Sequence, residues 1–315
     1  MAVPAQRFEL TYAGAARGAR LDVFLAESLA DVSRSRAARL IRDGQVTLNG
    51  QAAAPSRRLR DGDIVRGELP GVAAELAGEP GALDRLLTTD GFVAVDKPAG
   101  MVMHPGAGAL RGTLAHRLLA HFPELVAVGH PRRPGIVHRL DKDTSGVVMI
   151  ARTPAVYAHL ARAFEHREVQ KRYLLIARGT PDPPRGRIDG PIGRHPTQRT
   201  RMAVARRGRP AETNYRVLDR AGDAALVEAS PTTGRTHQIR VHMAAIGHPI
   251  RGDATYGGSV PAVRRVMLHA WTLRFRDNAG DRWLAAAPPP EDFQRTAAEL
   301  GLTLPDTPAS GLEAR

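Results

Sequence analysis

The chain contains no cysteine. That excludes a disulfide framework and any thiolate-held metal centre. Lysine is scarce as well: Lys97, Lys142 and Lys171 stand against 42 arginines. No stretch approaches the roughly 18 apolar residues of a membrane-spanning helix. The longest apolar runs, such as Val147-Val148-Met149-Ile150-Ala151, have the length of buried strands. The opening residues Met1-Ala2-Val3-Pro4-Ala5-Gln6-Arg7-Phe8 lack the apolar core of a secretory signal. A cytoplasmic protein with no membrane partner is expected. Several nucleotide and metal signatures are also missing. There is no Walker A loop and no His-Glu-x-x-His, and His237 and His242 lie five apart. No metal site is expected.

What is present is positive charge. Lys plus Arg is 45 and Asp plus Glu is 32, a net +13 over 315 residues. Hydrophobic residues at 43% and charged residues at 24% give the balance of a folded chain, and the length suits two domains. Codon bias accounts for arginine in place of lysine. It does not account for an excess of base over acid, which points to a polyanionic partner.

A first unit is expected over residues 17–69. Ser33 is placed to cap a helix with Ala37, Leu40 and Ile41 on one side. Arg36, Arg39 and Arg42 recur every three residues and line a neighbouring stripe, and Arg34 precedes them as a further candidate contact. A solvated face is the plain explanation of such a stripe, and nucleic-acid contact is the other. Asp43-Gly44 ends the helix, and Asn49-Gly50 is a turn after the strand at Val46. Residues 70–81 are rich in Gly, Pro and small side chains and read as a linker.

A larger α+β domain with a mixed, mostly antiparallel sheet is expected over 82–290. Strands are placed at Phe92–Val95, Ile136–Val137, Gly146–Ala151, Lys171–Ala177, Ala224–Ala229 and Leu268–Phe275. Thr153-Pro154 starts one helix, as N-cap and first helical residue. A second runs from Thr236 to Ile246 with Gly247 beyond its end. Residues 291–315 form a C-terminal extension whose last part, from about Leu302, is expected to fray.

Two segments carry chemistry. His138-Arg139-Leu140-Asp141-Lys142-Asp143-Thr144-Ser145-Gly146 is a dense polar run between apolar stretches, the setting in which a scaffold presents functional groups. Cations beside Asp141 suit a carboxylate nucleophile, and equally a structural ion pair bracing a turn. The run differs from a kinase catalytic loop in the order of Leu140 and Asp141. The second segment, Thr233-Gly234-Arg235-Thr236-His237-Gln238-Ile239-Arg240-Val241-His242, puts His237 and Arg240 one helical turn apart. An arginine there could reach a buried carboxylate with its fork. In the strand Lys171-Arg172-Tyr173-Leu174, the tyrosine suits either core packing or base stacking.

Together these segments resemble the ribosomal large-subunit pseudouridine synthases, the Rlu family, and most closely its D-type subgroup. Gly247-His248-Pro249-Ile250, Gly252-Asp253, Met267-Leu268-His269-Ala270 and Gly190-Pro191-Ile192-Gly193-Arg194-His195-Pro196 add to the match. The first unit is similar to an S4 RNA-binding domain, through Arg20-Leu21-Asp22, Ser33-Arg34-Ser35, Ile41-Arg42-Asp43-Gly44-Gln45-Val46 and Gly62-Asp63. The resemblance implies a pseudouridine synthase fold and isomerisation of uridine to pseudouridine in large-subunit rRNA, without a cofactor. It implies Asp141 as nucleophile, Tyr173 stacking on the base and aiding proton removal at C5, and Arg240 paired with Asp141. It also implies that Leu268 packs beside the base, while His138 and Arg139 position the loop and help expel the target nucleotide, which must leave its stack to react. Seven arginines against one acid from Arg194 to Arg216, including Arg199 and Arg201, then suit phosphate contacts. A monomer is expected, and a non-catalytic RNA-binding or ribosome-assembly protein on the same fold is the alternative.

Overall fold

The computed structural model describes residues 6–14, 18–29, 32, 34–69, 76–106, 109–198 and 201–313. Arg199, the Ser33 cap and the first half of the expected linker, residues 70–75, lie outside them. The chain forms two compact units, Met1–Glu75 and Leu76–Arg315.

In the first unit, β1 (Gln6–Thr11), β2 (Val46–Leu48) and β3 (Ile64–Leu69) form an antiparallel sheet in the order β1-β3-β2. The unit therefore begins before residue 17. Helices α1 (Leu21–Ser28) and α2 (Arg34–Arg42) pack with it. Leu21, Leu25, Ala37, Leu40, Ile41 and Val65 fill the core, as the apolar face of α2 requires. Asn49 and Gly50 both take positive φ, 51° and 79°, which a tight turn of this hand needs. Arg36, Arg39 and Arg42 are exposed, with Asp43 at 3.9 Å from Arg39. Arg34 is not a bare cation. Its Nε lies 3.2 Å from Asp22, a carboxyl that its bonds to Arg20, then to Arg34, hold down at about 2.

The second unit is built on a ten-stranded sheet. It starts with β4 (Asp84–Thr88) and β5 (Phe92–Lys97), then α3 (Leu114–His121) and a short hairpin of β6 (Gly129–His130) and β7 (Arg133–Pro134). Next come β8 (Ser145–Ala151), α4 (Pro154–Glu165), β9 (Gln170–Arg178) and β10 (Arg185–Asp189). A second small hairpin, β11 (Ile192–Arg194) and β12 (Met202–Val204), precedes β13 (Glu212–Ala221), β14 (Ala224–Pro231) and α5 (Gln238–Ala245). The chain ends with β15 (Leu268–Arg276), β16 (Arg282–Ala286), α6 (Glu291–Glu299) and β17 (Gly311–Leu312). The sheet order is β10-β13-β14-β9-β15-β8-β5-β4, with β16 on β15 and β17 on β16. All its pairings are antiparallel except β15 with β8. This is the mixed α+β architecture the sequence implies.

The one parallel junction positions the site. β8 and β15 start at the same end of the sheet, with Gly146 opposite Ala270, and Ala270 in turn opposite Tyr173 of β9. Gly146 sits at φ 112°, and a Cβ there would meet the Ala270 carbonyl oxygen, so only glycine lets the strands close. The loop before β8 is thereby delivered beside β15 and β9.

Three local expectations differ from the structure. Ile136 and Val137 form no strand. Ile136 makes a single bridge to Ile150 and the chain then leaves the sheet as a loop. No strand is expected between Ala177 and Ala224, yet β10 to β13 lie there, and the burial of β13 is too slight to give a strong apolar pattern. The tail does not fray at Leu302. Leu302 is buried, the Trp271 indole donates to Thr307, and β17 pairs with β16. Phe293 and Ala297 of α6 are buried in the same core.

Candidate active site

A cavity of about 470 Å³ opens at the parallel junction. Asp141, Tyr173, Arg240, Leu268, His138 and Arg139 all line it. Residues expected from separate motifs thus converge on one space.

Asp141 lies on the loop between Ile136 and β8. Leu140, Thr144 and Ser145 are buried on either side of it, which anchors the loop at both ends while the Asp141 side chain stays 22% exposed. The loop is tied further by Lys97. This side chain at the end of β5 is fully buried, and its ammonium donates to the carbonyls of Pro98, Met101 and Lys142 at 2.7, 3.0 and 3.0 Å. Burial pulls its pKa down to about 8, against the charges of Asp143 and Asp141.

Arg240 projects from α5. Its Nη1 is 3.5 Å from Asp141 Oδ2, so the expected approach exists. Its closer partner is another residue, however. Nε and Nη2 donate to the two oxygens of Asp253 at 2.7 and 2.9 Å. Asp253 is fully buried and also accepts from the Thr255 and Tyr256 amides. Burial works against the Arg240 charge, but the bonds to Asp253 outweigh it and Asp141 adds to them, so the guanidinium is held above its ordinary value.

His237 ends up beside Asp141 because it precedes α5 in a left-handed conformation, φ 57°. Its Nε2 is 3.9 Å from Asp141 Oδ2 and its Nδ1 is 2.8 Å from the Tyr256 hydroxyl. Burial lowers its pKa, against the Asp141 charge. The Tyr256 ring also lies under Arg240 and Arg201, at 5.0 and 5.3 Å. Arg201 is therefore turned inward, with hydrogen bonds to Gln198 and the Thr255 carbonyl. Its guanidinium thereby supports Tyr256. Arg194 is exposed on β11.

Tyr173 and Leu268 form the apolar wall. Burial, then the Asp141 charge, push the Tyr173 phenol well above its ordinary value, so it stays protonated. His138 packs flat on Phe164, with ring centroids 4.5 Å apart, and its Nε2 accepts from the Met149 amide at 2.8 Å. Burial, then the Lys171 charge, pull it down to about 3. A neutral imidazole fixed in this way braces the loop against β8. Arg139 next to it is exposed. Asp253, Tyr256 and Lys97 were given no role from sequence. Gly252-Asp253 was part of a matching motif, which was the available signal.

Comparison with known proteins agrees with this geometry. Residues 91–245 match the RNA pseudouridylate synthase family, and residues 19–65 match the S4 domain. An RNA pseudouridine synthase of Chloroflexus aurantiacus is 44% identical over 285 residues, covering 89% of this chain and 90% of the relative. A ribosomal large subunit pseudouridine synthase D of Nitrosomonas europaea is 41% identical over 298 residues, covering 90% and 85%. Human RNA pseudouridylate synthase domain containing 1 superposes with a TM-score of 0.54 at 32% identity, covering 67% of this chain and 86% of its own. The chain belongs to the RNA pseudouridylate synthases, isomerases that act on uridines in RNA, and carries an S4 domain ahead of its catalytic unit.

Proposed function

We propose that the protein converts uridines of large-subunit ribosomal RNA to pseudouridine, with Asp141 as nucleophile, and that it does so as a cytoplasmic monomer without a cofactor. The observation that carries this is the convergence of Asp141, Tyr173, Arg240 and Leu268 on one cavity. The large-subunit substrate rests on likeness to the D-type relatives.

In this scheme a flipped uridine enters with its base against Tyr173 and Leu268. An Asp141 oxygen bonds to C1′ as the C1′–N1 bond breaks, and the detached uracil keeps the electron pair. The uracil turns, C5 bonds to C1′, and the Asp141 carboxylate is released. Loss of the C5 proton and uptake of a proton at N1 complete an isomerisation that is balanced without a co-reactant. Part of the upward push on Tyr173 comes from the Asp141 charge. That charge is absent while Asp141 is bonded to the sugar and is present again when the C5 proton leaves, so the phenol acts at that stage in its protonated, hydrogen-bonding form. Arg240 holds Asp141 in place from the Asp253 side, and His138 fixes the loop.

The test is tritium release from C5-labelled uridine in large-subunit rRNA, with pseudouridine mapped in the product. Wild-type protein should release label, and Asp141→Asn should release none while keeping its melting temperature within a few degrees. Label release by Asp141→Asn near the wild-type rate would remove Asp141 from the role.

A further inference from the structure

Three arginines at the rim of the same cavity take no part in the scheme above. Arg167 lies in the turn from α4 to β9, Arg209 in the segment before β13, and Arg235 in the approach to α5. The fold brings these distant segments to one opening. Among the described residues, no ion pair uses any of the three guanidinium groups. The acids that line the cavity are Asp141 and Glu165, and Asp141 is engaged with Arg240.

Such grouping is unfavourable for the protein alone, because like charges gathered without counter-charge repel. Exposed arginines can relax into water, and Arg167 and Arg209 are exposed. Arg235 is half-buried, and its Nε is tethered to the Pro210 carbonyl at 3.1 Å. Burial, then Arg209 and Arg167, lower its pKa, and Arg167 does the same to Lys171 after burial. Arg167 itself holds φ 65°, a left-handed conformation uncommon for a side chain of its size. A tethered guanidinium with two more beside it and no carboxylate is an anion site awaiting its ligand. A guanidinium fork matches two phosphate oxygens at once.

The chemistry of the substrate names that ligand. With C1′ at Asp141 and the base on Tyr173, both phosphates of the flipped nucleotide emerge at the rim, since they join the ribose only a few bonds from C1′. While the base is detached, the sugar is held only by its bond to Asp141 and by its own backbone. We propose that Arg167, Arg209 and Arg235 clamp the backbone phosphates that flank the target uridine, and so keep C1′ oriented while the base turns. This rests on the pseudouridine synthase reading of the cavity.

The test uses the full chain and a large-subunit rRNA hairpin that wild-type protein binds, with a neutral methylphosphonate placed in turn at each loop phosphate. Arg167→Asn keeps a residue type that tolerates the left-handed backbone. It is combined with Arg209→Gln and Arg235→Gln, singly and as a triple. Each single change should raise Kd and KM about tenfold, and the triple should cut the salt slope of binding by about 2. Arg235→Lys should recover most of the affinity lost in Arg235→Gln, which a purely structural role would not allow. One or two methylphosphonates should weaken wild-type binding about tenfold and leave the triple variant unchanged. If every methylphosphonate costs the triple variant as much as the wild type, the clamp is wrong. Binding and conversion are scored separately. Coupled binding without any pseudouridine would sink the activity and leave the phosphate site standing, whereas conversion without coupling would do the reverse.

Discussion

Arg240 gives both oxygens of Asp253 a hydrogen bond, at 2.7 and 2.9 Å, and reaches Asp141 only with Nη1 at 3.5 Å. Asp253 is fully buried, whereas the Asp141 side chain is 22% exposed. The first contact is therefore the structural anchor, and the second is its use. Removing Asp253 strands a buried guanidinium, which costs about 3–5 kcal/mol. Asp253→Ala should lower the melting temperature far more than Asp141→Ala, and should abolish activity as well. Thermal melts of the two variants decide the point. Equal melting temperatures would show that Arg240 does not depend on Asp253.

Tyr256 sets the tautomer of His237. The Met202 amide donates to the Tyr256 hydroxyl at 3.0 Å, so the phenolic proton is free to go to His237 Nδ1 at 2.8 Å. The imidazole proton then sits on Nε2, facing Asp141 Oδ2 at 3.9 Å. Tyr256→Phe should lower kcat about tenfold with little change in KM, because the imidazole can then take the other tautomer. The associated stability loss should stay near 1 kcal/mol. Steady-state kinetics check this, and an unchanged kcat would leave His237 without a role in holding Asp141.

Local signals were legible in the sequence, and long-range ones were not. Thr153 accepts from the Val156 amide with Pro154 at the first helical position, because a cap needs only neighbouring residues. Gly247, φ 86°, follows α5 as expected. The convergence of Asp141, Tyr173 and Arg240 came from family likeness rather than pattern, since their contacts depend on the sheet. Asp253 was in view, but its partner was not, because the pairing needs the segment that follows α5 to turn back onto that helix. The tail from Leu302 has the composition of a loose end and is held by Trp271 and β16. Lys97 falls beyond the expected strand Phe92–Val95, and nothing in the sequence marks it as buried.

Lys97 is instead the point where β5 grips the Asp141 loop. Its three hydrogen bonds satisfy three carbonyls, and one of these belongs to Lys142, next to Asp141. Lys97→Met fills the space but removes this donor from all three carbonyls and leaves the Lys142 carbonyl with the Gly100 N–H, at about 1–3 kcal/mol for each group left unsatisfied where water cannot reach. The variant should melt several degrees lower and lose at least tenfold in kcat as the loop loosens. Faster amide exchange at Gly100, whose N–H donates to the same Lys142 carbonyl at 2.9 Å, would report the loosening directly. Unchanged exchange and kcat would count against it.

We propose a separate grip on RNA through the arginines of α2. Arg36, Arg39 and Arg42 are exposed on a nine-residue helix whose other side packs into the first unit. The Arg39–Asp43 pair at 3.9 Å is exposed on both sides, so it holds Arg39 back from phosphate only weakly. Changing Arg36, Arg39 and Arg42 together to Gln should weaken rRNA binding and reduce the salt slope by about 2. The melting temperature should not fall, because no core side chain changes. Binding titrations across a salt series check this, and an unchanged slope would place RNA elsewhere on the unit.

His138 makes the catalytic unit sensitive to acid. Its folded pKa of about 3 lies below the ordinary histidine value of about 6.5. Its contribution is therefore full above pH 6.5 and is lost as pH falls from there towards 3, amounting to about 2 kcal/mol at pH 5. Asp96 acts in the opposite sense. Burial, then the Asp84 charge, raise it to about 6, so the folded state gains stability as Asp96 takes up its proton below that pH. The wild-type profile mixes the two, and a variant separates them. In His138→Gln, the amide oxygen can take the Met149 N–H without titrating. Wild type should be the more stable of the two at pH 7.5, through the ring packed on Phe164. That margin should shrink by about 2 kcal/mol at pH 5 as the imidazole is forced to charge. Denaturant melts of both proteins across this range check the sign, and a margin independent of pH would mean that His138 titrates at its ordinary value.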